Sequence, residues 1–311
     1  MPNPFFKQHF LSTDQLTKDT LPFLFHEIDT MKEIVIKEGK TNILEGRIIA
    51  CVFFEPSTRT FASFTSAAQR LGAGIIPLHD MTNSSVIKGE SLEDTIRSIG
   101  CSSDAIVLRH PEAYSVQNVA QYSYVPIING GDGGHEHPTQ SLLEAYTIHK
   151  HYPSLEGTTI GFVGDLKHSR TIRSLSKVLA EMEPKKFIWV SPDSLKMMPD
   201  VVDSIKKHNI EIIETDSMEK YIGEFDVMYT NRIQKERFDD PAEYEKIKDV
   251  FVTTPKLIAE AKSTMIILNP LPRVGEISPL VDTDPRALYI KEQMQNALYT
   301  RMALLKLILK D

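Results

Sequence analysis

The stretch FFEPSTRTFASFTSAAQRLGAG, residues 53–74, decides the fold. It leaves an apolar run, presents Ser57-Thr58-Arg59-Thr60, and enters a helix-patterned segment at once. Strand, short junction, helix and next strand in that order is the repeating unit of a parallel α/β sheet. Working outward, RIIACVFF (47–54), GIIPL (74–78), DAIVLRH (104–110) and VPIING (125–130) read as strands. Helical patterns lie at 58–71, 90–100, 114–121 and 138–150. The alternation restarts with TTIGFVGD (158–165) and continues through KKFIWVSP (185–192), IEIIET (210–215), FDVMYTN (225–231) and TMIILNP (264–270).

This pattern predicts an α/β protein of two doubly wound domains with mainly parallel sheets. A chain of 311 residues suits that number of domains. Proline, serine and glycine break the pattern in HKHYPSLEGTT (149–159), which sets the expected domains at 1–150 and 151–311. The segment PRALYIKEQMQNALYTRMALLKLIL (285–309) reads as a long amphipathic helix expected to pack back on the first domain.

A net charge of −7 argues against general attraction to nucleic acid or anionic membranes. An anionic ligand must then be drawn by a local cluster of cations. Cys51 and Cys101 have neither metal-ligand spacing nor a disulfide framework, and two buried thiols are expected. No apolar run approaches the roughly 20 residues of a membrane-spanning helix. The opening MPNPFFKQHFLSTDQ lacks a basic region followed by an apolar one, so a cytoplasmic location is expected.

In open parallel sheets, ligands bind beyond the carboxyl ends of the strands. Ser57-Thr58-Arg59-Thr60 follows such an end and opens a helix, where free N–H groups and partial positive charge favour an anion, phosphate above all. The alternative is an ordinary capped helix with Arg59 in solvent. The glycines and Gly-Lys-Ser/Thr ending of a nucleotide-binding loop are absent. Arg109 closes another strand, and His137 precedes Pro138 at the entrance of a helix. The long polar loop HDMTNSSVIKGESLEDT (79–95) offers Ser84 and Lys88. Past later strand ends lie Arg170, the extended pair Arg232 and Gln234, which suits a carboxylate clamp, and the stiff NPLPRVGEI turn (269–277). Each of these, taken alone, also fits a surface cap or loop.

Together STRT (57–60), HPTQ (137–140), GDLKHSRT (164–171), RIQKER (232–237) and PLPR (270–273) resemble the aspartate/ornithine transcarbamylase family, most closely the catalytic chains of its aspartate branch. The resemblance runs through essentially the whole chain in order. It implies transfer of the carbamoyl group of carbamoyl phosphate to L-aspartate, an early step of pyrimidine synthesis. It also implies an interdomain active site and a homotrimer, with no metal or organic cofactor. Whether regulatory chains join is left open. Carried over, Ser57, Thr58, Arg59, Thr60 and Arg109 would hold the phosphate, joined by Ser84 and Lys88 of a neighbouring subunit. Thr60, Arg109 and His137 would act on the carbamoyl oxygen. Gln140 and the carbonyls of Pro270 and Leu271 would accept its amide. Arg170 would take the α-carboxylate of aspartate, and Arg232, Gln234 and Lys88 the β-carboxylate.

Two positions depart from the family pattern: Asn269 where His usually precedes Pro-Leu-Pro, and Phe61 where Arg is common. The ornithine branch is the nearest alternative, but its motifs are absent and an arginine clamp has the wrong charge for a cationic acceptor. A dinucleotide-dependent oxidoreductase is disfavoured because GFVGDL is not Gly-x-Gly-x-x-Gly. A non-catalytic anion-binding homologue is the remaining alternative.

Overall fold

The computed structural model describes residues 2–79, 89–233, 238, 241–247 and 250–311. The chain divides into two compact units, Met1–Leu143 with Gln295–Asp311, and Glu144–Met294. The division falls inside a helix rather than in the 149–159 stretch, and the last residues belong to the first unit.

In the first unit, α1 (Thr20–Glu38) leads to β1 (Ile48–Phe53), α2 (Thr58–Arg70), β2 (Gly74–His79), α3 (Leu92–Gly100), β3 (Ala105–His110), α4 (Ser115–Ala120) and β4 (Ile127–Asp132). Then α5 (Pro138–His151) begins. The strands lie in the order β2-β1-β3-β4, and every pair is parallel. Their near-continuous apolar runs follow from burial on both faces. Ala50, Val52, Ile106, Leu108 and Ile127 pack with Ile96 of α3 and Val116 and Val119 of α4. Each fully buried aliphatic side chain stabilises by about 1.5–3 kcal/mol. Pro77, which has no N–H to donate, is confined to the edge strand β2. The opposite edge is covered by Phe10, whose N–H donates to Ile127 O (2.8 Å) and whose carbonyl accepts from Asn129 N–H (2.8 Å).

The second unit contains β5 (Thr159–Val163), α6 (Arg170–Ala180), β6 (Lys186–Val190), α7 (Pro199–Ile205), β7 (Glu211–Thr215), β8 (Val227–Thr230), α8 (Pro241–Ile247), α9 (Pro255–Ile258) and β9 (Ile266–Leu268). Its parallel sheet is ordered β7-β6-β5-β8-β9. Both sheets therefore reverse winding direction at their first strand, between β1 and β3 and between β5 and β8. The crevice at such a reversal is where open α/β sheets take ligands.

The final helix, α10 (Glu292–Leu309), starts seven residues later than the sequence pattern suggests. Residues 286–288 instead extend the sheet: Ile267 N–H donates to Arg286 O (2.8 Å) and Leu288 N–H to Ile267 O (3.0 Å). Nor is α10 simply amphipathic. Arg301 through Leu305 are consecutively buried, which one helix face cannot provide. Cys51 is buried, and burial pushes its thiol up to about 12, whereas Cys101, expected inside, is exposed just past α3.

Gly161 occupies the middle of β5, where an added Cβ would lie 2.6–2.7 Å from three ring carbons of the buried Phe225. Gly161→Ala is expected to destabilise the second unit by about 1–3 kcal/mol through overpacking. Urea unfolding monitored by Trp189 fluorescence reads this directly; an unchanged midpoint would show that Phe225 can step aside.

Candidate active site

The first cluster forms where β1, β3 and β4 end. Phe54 N–H donates to Arg109 O (2.9 Å), so the exit of β1 is tied to the end of β3. Ser57 then opens α2 with its carbonyl accepting from Phe61 N–H (3.0 Å), but its hydroxyl does not cap the helix. Ser91, Ser169 and Thr254 do cap theirs. The first-turn N–H groups of α2 are thus left to an external acceptor, which favours the anion-binding reading over the capped-helix one. Thr60 is buried, while Thr58 and Arg59 are exposed. Desolvation lowers the pKa of Arg59, a penalty that a bound anion offsets.

Arg109 is nearly buried and held from two sides: Nη2 lies 2.9 Å from Glu55 Oε2, and Nη1 donates to Gly130 O (3.1 Å). Its position depends on a β-bulge. Leu108 pairs with Asn129 and His110 with Asp132, so Gly130 and Gly131 together face Arg109. An extra residue of this kind bends the strand and re-aims the opposing side chain. Gly131 has φ +115°, and a Cβ there would stand 2.8 Å from Arg109 Nη1 and 3.4 Å from His137 Cδ2. Only the missing side chain lets the arginine and the histidine approach the same point.

His137 is buried, and its carbonyl accepts from Gln140 N–H (3.0 Å) and Ser141 N–H (3.1 Å), which places it at the entrance of α5. Its Nδ1 lies 3.4 Å from the Thr139 hydroxyl. The residues before it are braced by buried carboxylates. Asp132 accepts from Tyr114 N–H (3.1 Å) and Glu136 N–H (3.0 Å), and Glu136 accepts from the Thr13 N–H (2.8 Å) and hydroxyl (3.0 Å). Gln140 is buried one turn along α5.

The second cluster forms in the second unit, across the reversal of its sheet. Arg170 is the first residue of α6 after β5, and Arg232 follows the adjacent strand β8. Gly164, at φ +117°, lets β5 pass so close to β8 that a Cβ would lie 2.0 Å from Asn231 O. Pro270 and Leu271 follow β9, the next strand outward. Leu271 has φ +52°, a conformation few non-glycine residues adopt, and its N–H donates to Asn269 Oδ1 (2.7 Å). The Asn269 amide also donates to Thr230 O (2.9 Å) and Glu276 Oε1 (3.0 Å). Asn269 thereby fixes the turn by direct hydrogen bonds. Phe61 packs edge-on against Phe53 (5.3 Å, 89°) and tilts over His79 (4.7 Å), a packing role that needs no cation. Ser84, Lys88 and Gln234 lie outside the described residues.

Glu55, the Gly130-Gly131 bulge and the side-chain role of Asn269 were missed by sequence reasoning. The Gly-Gly pair after a strand was the available signal.

The family model "Aspartate/ornithine carbamoyltransferase, carbamoyl-P binding domain" matches residues 8–150, and "Aspartate/ornithine carbamoyltransferase, Asp/Orn binding domain" matches residues 156–308. The chain belongs to the aspartate/ornithine carbamoyltransferase family. It is 45% identical to an aspartate carbamoyltransferase catalytic subunit of Alkaliphilus oremlandii, covering 97% of this chain and 91% of that one. It is 44% identical to Multifunctional protein pyr1-3 of Dictyostelium discoideum, of whose length the match spans 13%. Aspartate transcarbamoylase of Trypanosoma cruzi in complex with carbamoyl phosphate superposes with a TM-score of 0.94 at 37% identity, covering 99% of this chain and 98% of that one. The T. cruzi complex with carbamoyl phosphate and aspartate gives 0.93 at 36%, with the same coverage. In this family frame, Arg109 with the bulge that faces it and the uncapped helix fall in the carbamoyl phosphate region, and Arg170 and Arg232 in the Asp/Orn region.

Gly131→Ala is expected to displace Arg109 and weaken binding of inorganic phosphate by roughly tenfold, the worth of one charge-assisted hydrogen bond. Isothermal titration measures it, with circular dichroism reporting that the fold persists. Equal affinity in the variant would mean that Arg109 does not need the bulge.

Proposed function

We propose that this chain is a carbamoyltransferase that joins carbamoyl phosphate and L-aspartate to give N-carbamoyl-L-aspartate and phosphate. The observation that carries the reading is the convergence of Arg109 and His137 on Gly131, beside a helix start whose Ser57 hydroxyl leaves the N–H groups uncapped. Aspartate as the acceptor follows from the arginines after β5 and β8, two fixed cations suited to a dicarboxylate. Ornithine, with its cationic side chain, does not suit them.

Ser57, Thr58, Arg59, Thr60 and Arg109 hold the phosphate, and it competes with Glu55 for the Arg109 guanidinium. The neutral aspartate amine attacks the carbamoyl carbon, a C–N bond forms, and the tetrahedral oxyanion collapses by breaking the C–O bond to phosphate. The departing phosphate takes the amine proton. Thr60, Arg109 and His137 donate to the oxyanion. A Thr139 hydroxyl donating to His137 Nδ1 leaves Nε2–H for that task. Gln140 and the carbonyls of Pro270 and Leu271 orient the carbamoyl amide. Arg170 binds the α-carboxylate, and Arg232 and Gln234 the β-carboxylate. The rate comes from holding two anions in attack geometry and from stabilising developing charge. Ser84 and Lys88 are proposed to act from a neighbouring subunit, with Lys88 also reaching the β-carboxylate, so that a homotrimer is the working unit. Its place is the cytoplasm.

Purified protein with carbamoyl phosphate and either L-aspartate or L-ornithine tests the reading. Carbamoyl-aspartate and phosphate are expected to form in equal amounts. Arg109→Ala is expected to lose about 100-fold or more in turnover, the usual effect of removing one oxyanion donor. Product with ornithine alone would refute the acceptor assignment.

A further inference from the structure

Polar side chains in the second unit, most of them buried, form one connected network that touches no proposed substrate atom. It starts at α6, where the Ser169 and Thr171 hydroxyls lie 3.1 Å apart on either side of Arg170. The Thr171 side chain is also close enough to act on the phenol of Tyr229 on β8. The Tyr229 O–H donates to Glu144 Oε1 (2.9 Å). The same carboxylate oxygen accepts from Gln293 Nε2 (3.1 Å). Gln293, on α10, is also paired with the backbone of Asn269: its Nε2 donates to Asn269 O (2.9 Å), and its Oε1 accepts from Asn269 N–H (3.3 Å). Asn269 in turn holds Leu271 through Oδ1.

Glu144, Tyr229, Asn269 and Gln293 are all fully buried. A carboxylate placed there must be well hydrogen-bonded, and an apolar set of equal volume would pack without that penalty. Burial and the neighbouring Glu144 raise the Tyr229 phenol well above its ordinary pKa, so it remains a donor at any working pH. Two ends of the chain border proposed ligands. Thr171 is next to Arg170, which faces the α-carboxylate, and Asn269 precedes Pro270 and Leu271, which face the carbamoyl amide.

We propose that Gln293 and Tyr229 are positioning residues, which through Glu144 hold the Pro270–Leu271 carbonyls in register with Arg170. The inference rests on the transferase reading and adds to it the device that aligns acceptor with carbamoyl group. Gln293 acts on the turn and Tyr229 on the α6 start, so their loss has different kinetic signatures.

Steady-state kinetics of the full chain with carbamoyl phosphate and L-aspartate test this on wild type, Gln293→Met and Tyr229→Phe. Met keeps the volume of Gln293 without its hydrogen bonds, and Phe removes a single hydroxyl. In Gln293→Met, kcat is expected to fall by about 10–100-fold, the effect of a small misplacement of reacting groups. Inorganic phosphate, whose proposed ligands lie elsewhere, is expected to bind as in wild type. In Tyr229→Phe, the KM for aspartate is expected to rise severalfold while that for carbamoyl phosphate stays put. Both melting midpoints are recorded, and Tyr229→Phe keeps the test decisive if Gln293→Met does not fold. A merely structural network would lower the midpoints without this split between kcat and KM. Folded variants with wild-type kcat and KM would overturn the inference while leaving the transferase reading intact. A wild type that carbamoylates neither acceptor would overturn the reading, and this inference with it.

Discussion

Parallel strand pairing is the constraint on which the rest depends. A strand that pairs in parallel cannot return through a tight turn, so each connection crosses over the sheet, in most cases as a helix. All carboxyl ends of a sheet therefore come to one edge, and the helices that start there turn their unpaired N–H groups to the same side. In the first unit this single fact assembles Ser57, Arg109 and His137, which are far apart in sequence. In the second it puts Arg170 and Arg232 just past adjacent strands. The sites are consequences of the winding, refined by local devices.

Those local devices share a logic. At Gly131 and at Gly164, side chains are removed so that neighbouring strand ends can close up. At Asn269, a side chain takes over backbone hydrogen bonding and fixes Leu271 in a conformation it would otherwise avoid. Asp132 and Glu136 do the same work ahead of His137, and Glu136 recruits Thr13 from the N-terminal segment. Polar groups buried beside the proposed ligands thus brace the main chain that carries them.

The strands and most helices were legible because apolar runs bounded by turn residues leave little choice. The helix start at Ser57 and the placement of Arg109 and His137 at strand and helix ends were legible for the same reason, whereas the uncapped state of that helix start was not. The bulge facing Arg109 was not, because it depends on register between β3 and β4, which no local pattern encodes. The Glu55–Arg109 ion pair joins the segment after β1 to β3 and was equally hidden. The start of α10 was misjudged because residues 286–288 pair with Ile267 in preference to continuing a helical pattern. Here tertiary hydrogen bonding overrides local propensity. Asn269 read as a mere departure from a family motif; the three hydrogen-bonded partners of its side chain emerge only from the folded turn.

The two ends of the chain hold one another. Asn3 Nδ2 donates to Leu307 O (2.7 Å), Lys7 N–H donates to Ile308 O (2.9 Å), and Lys306 pairs with Glu27 (3.0 Å). Leu304, Leu305 and Ile308 complete a core whose strands were all synthesised by residue 132. During translation the unit begun first is therefore finished last, after residues 144–294 have had time to close around their own sheet. Until residues 295–311 are made, the first unit lacks the apolar side chains of Leu304, Leu305 and Ile308, and incompletely packed chains of this kind are the ones most open to chaperones and misassembly.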